Sequence, residues 1–392
     1  MITFSDYALR PSSLKALEAM DIHYPTPIQE QAIPLLHDRR DLIGEACTGS
    51  GKTLAFGLPL IERIDPRKKS IQALVLVPTR ELAEQVGQVL QKLTIGTDIV
   101  SLTIFGGRPI GPQQQALRRG VHIMVGTPGR VLDHLRQGSM RLDQVCFLVL
   151  DEADEMLDRG FAPDVEKILA ATPRDRQTAL LSATTPEWVK AVSKRYMTAP
   201  AIIKVDSQDE AEPDIEHVVY EVGMGDKFSL LCELLSQQTT GSTLVFGRTK
   251  FGVRKLAAKL NRAGYNVDVI QGNLSQGQRD RVLKRFREGH TPVLVATNVA
   301  ARGLDVPHIE RVINYELPDT PDLFTHRVGR TGRMGRFGRA ITFLAFTDLP
   351  MMQEIEARLG RKLPRVNING EAILPLPDRP KHSPSRQRRW RR

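Results

Sequence analysis

Apolar positions in this chain come in short runs separated by helix-like stretches. QALVLVPT (72–79), DIVSLTIF (98–105), HIMVGTP (122–128), CFLVLDEAD (146–154), TALLSAT (178–184) and AIIKV (201–205) are β-rich, and RELAEQVGQVLQKL (80–93) between the first two is helix-like. Strands alternating with helices predict a parallel sheet covered by helices on both faces. The pattern stops at DSQDEAEPD (206–214), acidic and without apolar periodicity, which reads as a linker. It restarts with EHVVYEV, STLVFGRTK, a helix over 250–262, VDVIQG, PVLVATN, RVINYELP and RAITFLAF. The expected fold is therefore α/β with two tandem domains, each a parallel sheet flanked by helices. The boundaries read as 1–206, linker 207–214, 215–362, and a Pro- and Arg-rich tail over 363–392, extended or disordered.

Composition adds little until the charge is located. At 392 residues, 41% hydrophobic and 26% charged, the chain has room for two domains and is neither fibrous nor disordered throughout. Cys47, Cys146 and Cys232 are far apart with no CxxC pairing, so neither a disulfide framework nor a zinc site is expected, and a reducing compartment is. MITFSDYALRP carries no charged-then-apolar leader and no apolar run reaches membrane-spanning length, so the expectation is a cytoplasmic protein without membrane contact. The net charge is +10, and RPKHSPSRQRRWRR (379–392) holds seven Lys or Arg and no acid, leaving +3 for residues 1–378. A basic tail makes nucleic acid the leading partner class.

ACTGSGKT (46–53) is nearly the phosphate-binding pattern GxxxxGK(S/T), with Ala46 in place of the first glycine. It follows the strand-like DLIGE and precedes the helix-compatible TLAFGLPLIERI, which is the context such a loop requires. Gly49 and Gly51 let successive N–H groups face an anion. Lys52 would reach the β- and γ-phosphates and Thr53 would ligate Mg²⁺. A plain glycine turn capping a helix needs no Lys-Thr pair. VCFLVL runs straight into Asp151 and Glu152, the acidic partner this chemistry requires: Asp151 for the metal, Glu152 to orient or deprotonate a water. An acidic helix cap looks similar, so the pairing with the loop carries the reading.

DEAD at 151–154 resembles the motif that names the DEAD-box RNA helicases, and further motifs follow in family order. They are PTPIQ (25–29), PTRELA (78–83), GG (106–107), TPGR (127–130), SAT (182–184), LVFGRTK (244–250), ATNVAARGLD (296–305) and HRVGRTGR (326–333). The family itself uses AxTGxGK(S/T), so Ala46 points toward it. The resemblance covers nearly the whole chain. It implies two RecA-like domains with ATP in the cleft between them and RNA across both. By position, Phe4 and Gln29 would serve the adenine edge, and Thr48, Gly49, Ser50, Gly51, Lys52 and Thr53 the phosphates. Asp305 would meet the ribose, and Arg330 and Arg333 the γ-phosphate from the second domain. Pro78, Thr79, Arg80, Gly107, Thr127 and Arg130, with Arg248, Gly272 and Thr297, would line the RNA path. Singly, each of these is equally a turn glycine, a helix cap or a surface arginine. Ser182, Thr184 and His326 would couple the domains.

Three positions depart from the family. Asp21 and Ile22 stand where glycine and an aromatic usually precede PTxIQ, Asn298 stands where many members carry aspartate, and Cys47 lies inside the loop. His23 and His217 read as surface or edge residues.

The reading is an RNA-stimulated ATPase that unwinds short RNA duplexes or remodels RNA–protein complexes, with ATP and Mg²⁺ as cofactors. The alternatives are an ATP-gated RNA clamp or annealing scaffold with little unwinding, and a DNA translocase of the same superfamily. RNA bound without base readout, ribosomal or RNA-decay proteins and a monomeric core complete the expected partners. Deleting residues 379–392, with Trp390 among the arginines, should weaken RNA affinity and flatten its salt dependence while leaving maximal ATPase nearly intact. An unchanged salt slope in a binding titration removes any role for the tail.

Overall fold

The computed structural model describes residues 2–46, 49–205, 215–223, 225–237, 241–298, 309–332 and 337–373. The linker and residues 374–392 lie outside them. Each apolar run becomes a strand. The first domain holds β1 (Leu42–Glu45), β2 (Ala73–Leu76), β3 (Ser101–Ile104), β4 (Ile123–Gly126), β5 (Phe147–Leu150), β6 (Gln177–Ser182) and β7 (Ala201–Lys204). The second holds β8 (Ile215–Glu221), β9 (Ser242–Gly247), β10 (Val267–Ile270), β11 (Val293–Thr297), β12 (Ile309–Asn314), β13 (Gly338–Leu344) and β14 (Arg365–Val366).

The two seven-stranded sheets have the orders β3-β4-β2-β5-β6-β1-β7 and β10-β11-β9-β12-β13-β8-β14, and every strand pair in them is parallel. Helices cover both faces, so the central strands β2, β4, β5, β6 and β9 are buried along their whole length. That is why their sequences are continuous apolar runs rather than alternating ones. Among the described residues no helix is long and apolar enough to cross a membrane.

Because all strands in a sheet run the same way, the loops leaving their C-terminal ends share one edge, where ligand sites form in open α/β sheets. In the first domain the order of strands divides that edge. The tips of β5, β6 and β1, adjacent in the sheet, carry Asp151, Ser182 and the 46–53 loop. Those of β2, β4 and β3 carry Pro78–Arg80, Thr127 and Gly106–Gly107.

Order runs past residue 362, where the tail was expected to begin. Leu363 is buried, Val219 N–H donates to the Pro364 carbonyl, and Arg365 pairs with Glu221 and Glu356. The pairing of β14 with β8 spans too few residues for periodicity to reveal.

Asp41 ties three elements of the first domain together. Its buried carboxylate accepts from Thr178 N–H at 2.7 Å and Thr198 N–H at 2.6 Å, at the entries to β6 and β7. Asp41→Ala should cost about 3 kcal/mol by orphaning both donors, and Asp41→Asn less. Urea unfolding followed through Trp188, whose ring lies in this domain, measures it; a midpoint unchanged in Asp41→Ala contradicts the assignment.

Candidate nucleotide and RNA site

The 46–53 loop is held from its own helix and from the neighbouring one. Gly49 and Gly51 both take left-handed backbone, φ +96° and +93°, and Lys52 opens the helix Lys52–Arg63. A Cβ on Gly51 would meet Thr26 Oγ1 at 2.9 Å as well as the Gln29 amide, so only glycine fits. Thr26 Oγ1 donates to the Ser50 carbonyl at 2.7 Å, and Gln29 Nε2 donates to the Gly51 carbonyl at 3.0 Å. Gln29 Oε1 accepts from Thr26 N–H, completing a capping box on the helix Pro27–His37. The PTPIQ segment thus clamps the loop. Phe4 is buried in the adjoining core, with the Tyr7 ring 6.3 Å away.

Asp21 sits at φ +58°, left-handed backbone that glycine adopts without strain and that Asp tolerates better than most residues. This accounts for the family's glycine there. Ile22 packs against the first-domain core, and His23 is exposed beside Asp21 at 2.9 Å. His217 lies half-buried on β8, stacked on Phe324.

Lys52 is 7% exposed and its Nζ donates to the Ala46 carbonyl at 3.0 Å; Ala46 N–H in turn donates to the Ser182 carbonyl. Facing it are Asp151 and Glu152, both buried. Burial raises the Asp151 carboxyl above its usual range, with Lys52 and a bond from Glu152 N–H opposing. Glu152 is pushed up to about 7, first by burial and then by Glu155 and Asp151, while Lys52 and Arg330 pull it down. Its backbone is left-handed, φ +53°, and among the described residues Oε2 has no hydrogen-bond partner. A left-handed non-glycine backbone and a buried carboxylate oxygen without a hydrogen bond both cost free energy, and both fall on this one residue.

Asp154, not singled out by the sequence reading, organises the turn that follows. Its Oδ2 accepts from Thr184 N–H and Thr184 Oγ1, both at 3.0 Å, and its own N–H donates to Ser182 Oγ at 3.3 Å. Ser182 and Thr184 therefore hold the Asp151–Asp154 segment directly, and both lie between the loop after β1 and the acids after β5. Thr53 is the second residue of its helix and half-buried.

Arg330 is 4% exposed, and its Nε donates to the His326 carbonyl; it is close enough to Glu152 to lower that carboxyl. His326 Nδ1 is buried and has no hydrogen-bond partner among the described residues. Arg327, between them, is anchored through Asn298 Oδ1 at 2.6 Å, Asn314 Oδ1 at 3.0 Å and the Glu316 carbonyl at 2.6 Å, above the Phe246 ring. Asn298 accepts this bond as an aspartate would. Thr48, Asp305 and Arg333, like Cys47, lie outside the described residues.

The residues expected to line an RNA path fall into two groups, one in each domain. The Arg80 guanidinium lies against Gly107, whose φ is +82°, with no room for a Cβ. Arg130 Nη1 donates to the Arg108 carbonyl at 3.0 Å beside it. The Thr79 hydroxyl accepts from Leu82 N–H as the cap of the helix Arg80–Leu93; Pro78 and Thr127 are buried at strand ends. In the second domain Arg248 is half-exposed, with ion pairs to Asp319 at 3.5 Å and Asp348 at 3.8 Å. Gly272 lies under the Lys250 chain, and Thr297 ends β11.

The seam joining the domains crosses the first group. Arg80 Nη1 donates to Gln276 Oε1 at 2.5 Å, Arg279 pairs with buried Glu81, and Arg108 lies 4.0 Å from Asp280. Gln276, Arg279 and Glu81 escaped the sequence reading. SQGQ marks a helix start through the Ser275–Gln278 capping box, but nothing local shows a partner nearly two hundred residues away.

Residues 26–192 match the family model for the DEAD/DEAH box helicase, and residues 226–335 that for the helicase conserved C-terminal domain. The DEAD-box ATP-dependent RNA helicase CshA of Geobacillus kaustophilus is 43% identical over 366 residues, 93% of this chain and 78% of that protein. CshA of Bacillus subtilis is 45% identical over 93% of this chain and 74% of its own length. Saccharomyces cerevisiae Dbp5 bound to RNA and ADP BeF3 superposes with a TM-score of 0.86 at 35% identity, covering 94% of this chain and 96% of that one. A variant of the same yeast protein bound to Gle1 and IP6 gives 0.76, covering 94% and 95% at 34% identity.

The buried acids make stability depend on pH. Glu152 titrates near 7 in the folded protein against a reference of 4.5, so the folded state holds its proton more tightly. Its contribution to stability is fully present below 4.5 and is lost as pH rises through about 7. In nucleotide-free protein with a chelator, Glu152→Gln should remove that loss and stabilise the first domain by on the order of 1–3 kcal/mol above neutrality. Urea titrations across that range test this, and equal pH profiles for parent and variant refute it.

Proposed function

The chain belongs to the DEAD-box family of ATP-dependent RNA helicases, and we propose on that basis a division of labour among its own residues. ATP lies over the 46–53 loop, with its phosphates on the N–H groups around Gly49 and Gly51 and on Lys52, which exchanges the Ala46 carbonyl for phosphate oxygens. Phe4 and Gln29 support the adenine-side segment, and Asp305 takes the ribose. The single observation that carries this reading is the buried Glu152 Oε2, without a hydrogen-bond partner among the described residues and acted on by both Lys52 and Arg330. A carboxylate whose proton affinity is raised toward neutrality can orient a water and accept its proton as the terminal phosphoryl group leaves.

The oxygen donors of Asp151 and Thr53 suit Mg²⁺, and among the described residues no cluster of three ligating side chains surrounds them. Asp151 and Thr53 would supply the protein's oxygens to such an ion, leaving other positions open to phosphate and water. When bound it would neutralise the β- and γ-phosphate oxygens. Arg330 and Arg333 add positive charge from the second domain, so the site is complete only when the domains close. RNA backbone on Arg80, Gly107, Thr127 and Arg130 on one side and Arg248, Gly272 and Thr297 on the other rewards the same closure. Two ligands that bridge the same pair of domains each tighten the other. A cytoplasmic site of action, a monomeric core and ribosomal or RNA-decay proteins as partners belong to the same proposal.

Single-stranded RNA should stimulate ATP hydrolysis by the purified protein. Lys52→Ala and Glu152→Gln should abolish turnover, and Arg330→Ala should lower it about 10³-fold or more while retaining RNA binding in the absence of nucleotide. Equal ATPase rates with and without saturating RNA refute the coupling. Strand displacement assayed beside ATPase separates unwinding from an ATP-gated clamp, and stimulation by DNA instead of RNA overturns the choice of substrate.

A further inference from the structure

The mild charge of the body conceals a strongly basic edge. Residues 250–290 hold ten Lys or Arg against three Asp or Glu, a surplus of seven. The remainder of residues 1–378 is therefore net acidic, by four charges. This stretch comprises the helices Lys250–Arg262 and Gln276–Arg287 with β10 between them at the border of the second sheet.

On the first of these helices Val253, Leu256, Ala257 and Leu260 are buried, and the opposite face presents Phe251, Arg254 and Lys255. Phe251 is 77% exposed with no ring contact, and neither Arg254 nor Lys255 makes an ion pair among the described residues. A second exposed ring, Phe346 at 88%, follows β13 on the same C-terminal edge of the sheet. Arg248 links the two: it precedes Phe251 by three residues, and its guanidinium reaches Asp348, two residues beyond Phe346. Lys250, next to Phe251, packs on Gly272 and donates to Asn273 Oδ1 at 3.1 Å. The aromatic face is therefore continuous with the second-domain half of the RNA path.

One exposed phenylalanine needs no explanation, but two beside a guanidinium, with two uncommitted cations, have the makeup of a base-stacking platform. We propose that this face takes single-stranded RNA where it leaves the clamp, a base stacking on Phe251 and the adjoining phosphates meeting Arg254 and Lys255. Phe346 offers a second ring across Arg248. The proposal rests on the RNA-clamp reading above. It adds a stacking interaction, tolerant of sequence, to a path otherwise built on the RNA backbone.

The test is fluorescence anisotropy with labelled single-stranded RNA, using one oligonucleotide short enough to end within the clamp and one that extends past it. Phe251→Ala should weaken the longer RNA about fivefold or more, leave the shorter one unaffected, and be rescued by Phe251→Trp. Arg254→Gln with Lys255→Gln should lower the salt slope for the longer RNA by about 0.7 for each phosphate that is no longer neutralised. All these side chains are exposed, so altered folding is not expected, and thermal melting checks it. If RNA stimulates the parent ATPase but Phe251→Ala binds the longer RNA as tightly as the parent, the platform is refuted and the clamp stands. If RNA neither binds nor stimulates the parent, both fall.

Discussion

Asp151, Glu152 and Glu155 are buried in one cluster against Lys52, and the carboxylates outnumber the ammonium. Such an arrangement is unfavourable by itself, because desolvation and mutual repulsion both oppose ionisation. Arg159 offsets part of it through Glu155 at 3.5 Å, and Arg330, from the second domain, acts on Glu152. The approach of Arg330 and the ionisation of Glu152 are therefore linked, each favouring the other. The first domain stores an electrostatic demand that a cation arriving from outside can meet, and this makes the relation between the domains part of the site.

The topology places that demand. With β6 between β5 and β1, the acids and the phosphate loop come out on either side of Ser182 and Thr184. The bonds of these two residues to Asp154 then fix the acid-bearing segment relative to the loop. On the far half of the same edge Arg80 and Arg130 brace the Gly106–Arg108 turn, and Arg80 reaches Gln276. Arg80 thus touches both the Gly106–Arg108 turn and the second domain, so a shift of either is felt at one side chain.

Much of this was legible along the chain because its determinants are local. A fully buried parallel strand must be an apolar run, which made most of the strands readable, and a phosphate loop needs glycines at left-handed positions followed by Lys-Thr. The rest depends on pairs distant in sequence. Arg327 looks like any arginine of HRVGRTGR, yet it is the one locked beneath Asn298 and Asn314, while Arg330 faces the acids. Glu81 and Arg279 resemble solvated helix charges until the fold brings them together. Short β14 carries too little periodicity, and Asp154 is indistinguishable from a helix-capping acid until Thr184 is seen on it.

Net charge was the least informative quantity of all. A body of +3 suggests that the tail alone attracts polyanions, but the sum hides a surplus of seven on one border of the second domain against an acidic remainder. At physiological salt the field of an exposed charge decays over about 8 Å, so patches farther apart than that act locally. A polyanion therefore meets the second domain's basic border as a distinct surface rather than an average over the molecule. The first domain is itself slightly basic, with 25 Lys or Arg against 23 Asp or Glu over residues 1–205, yet it buries Asp151, Glu152 and Glu155 around Lys52. The second displays positive charge outward, so the buried acids favour a cation such as Arg330 while the exposed border favours an anion.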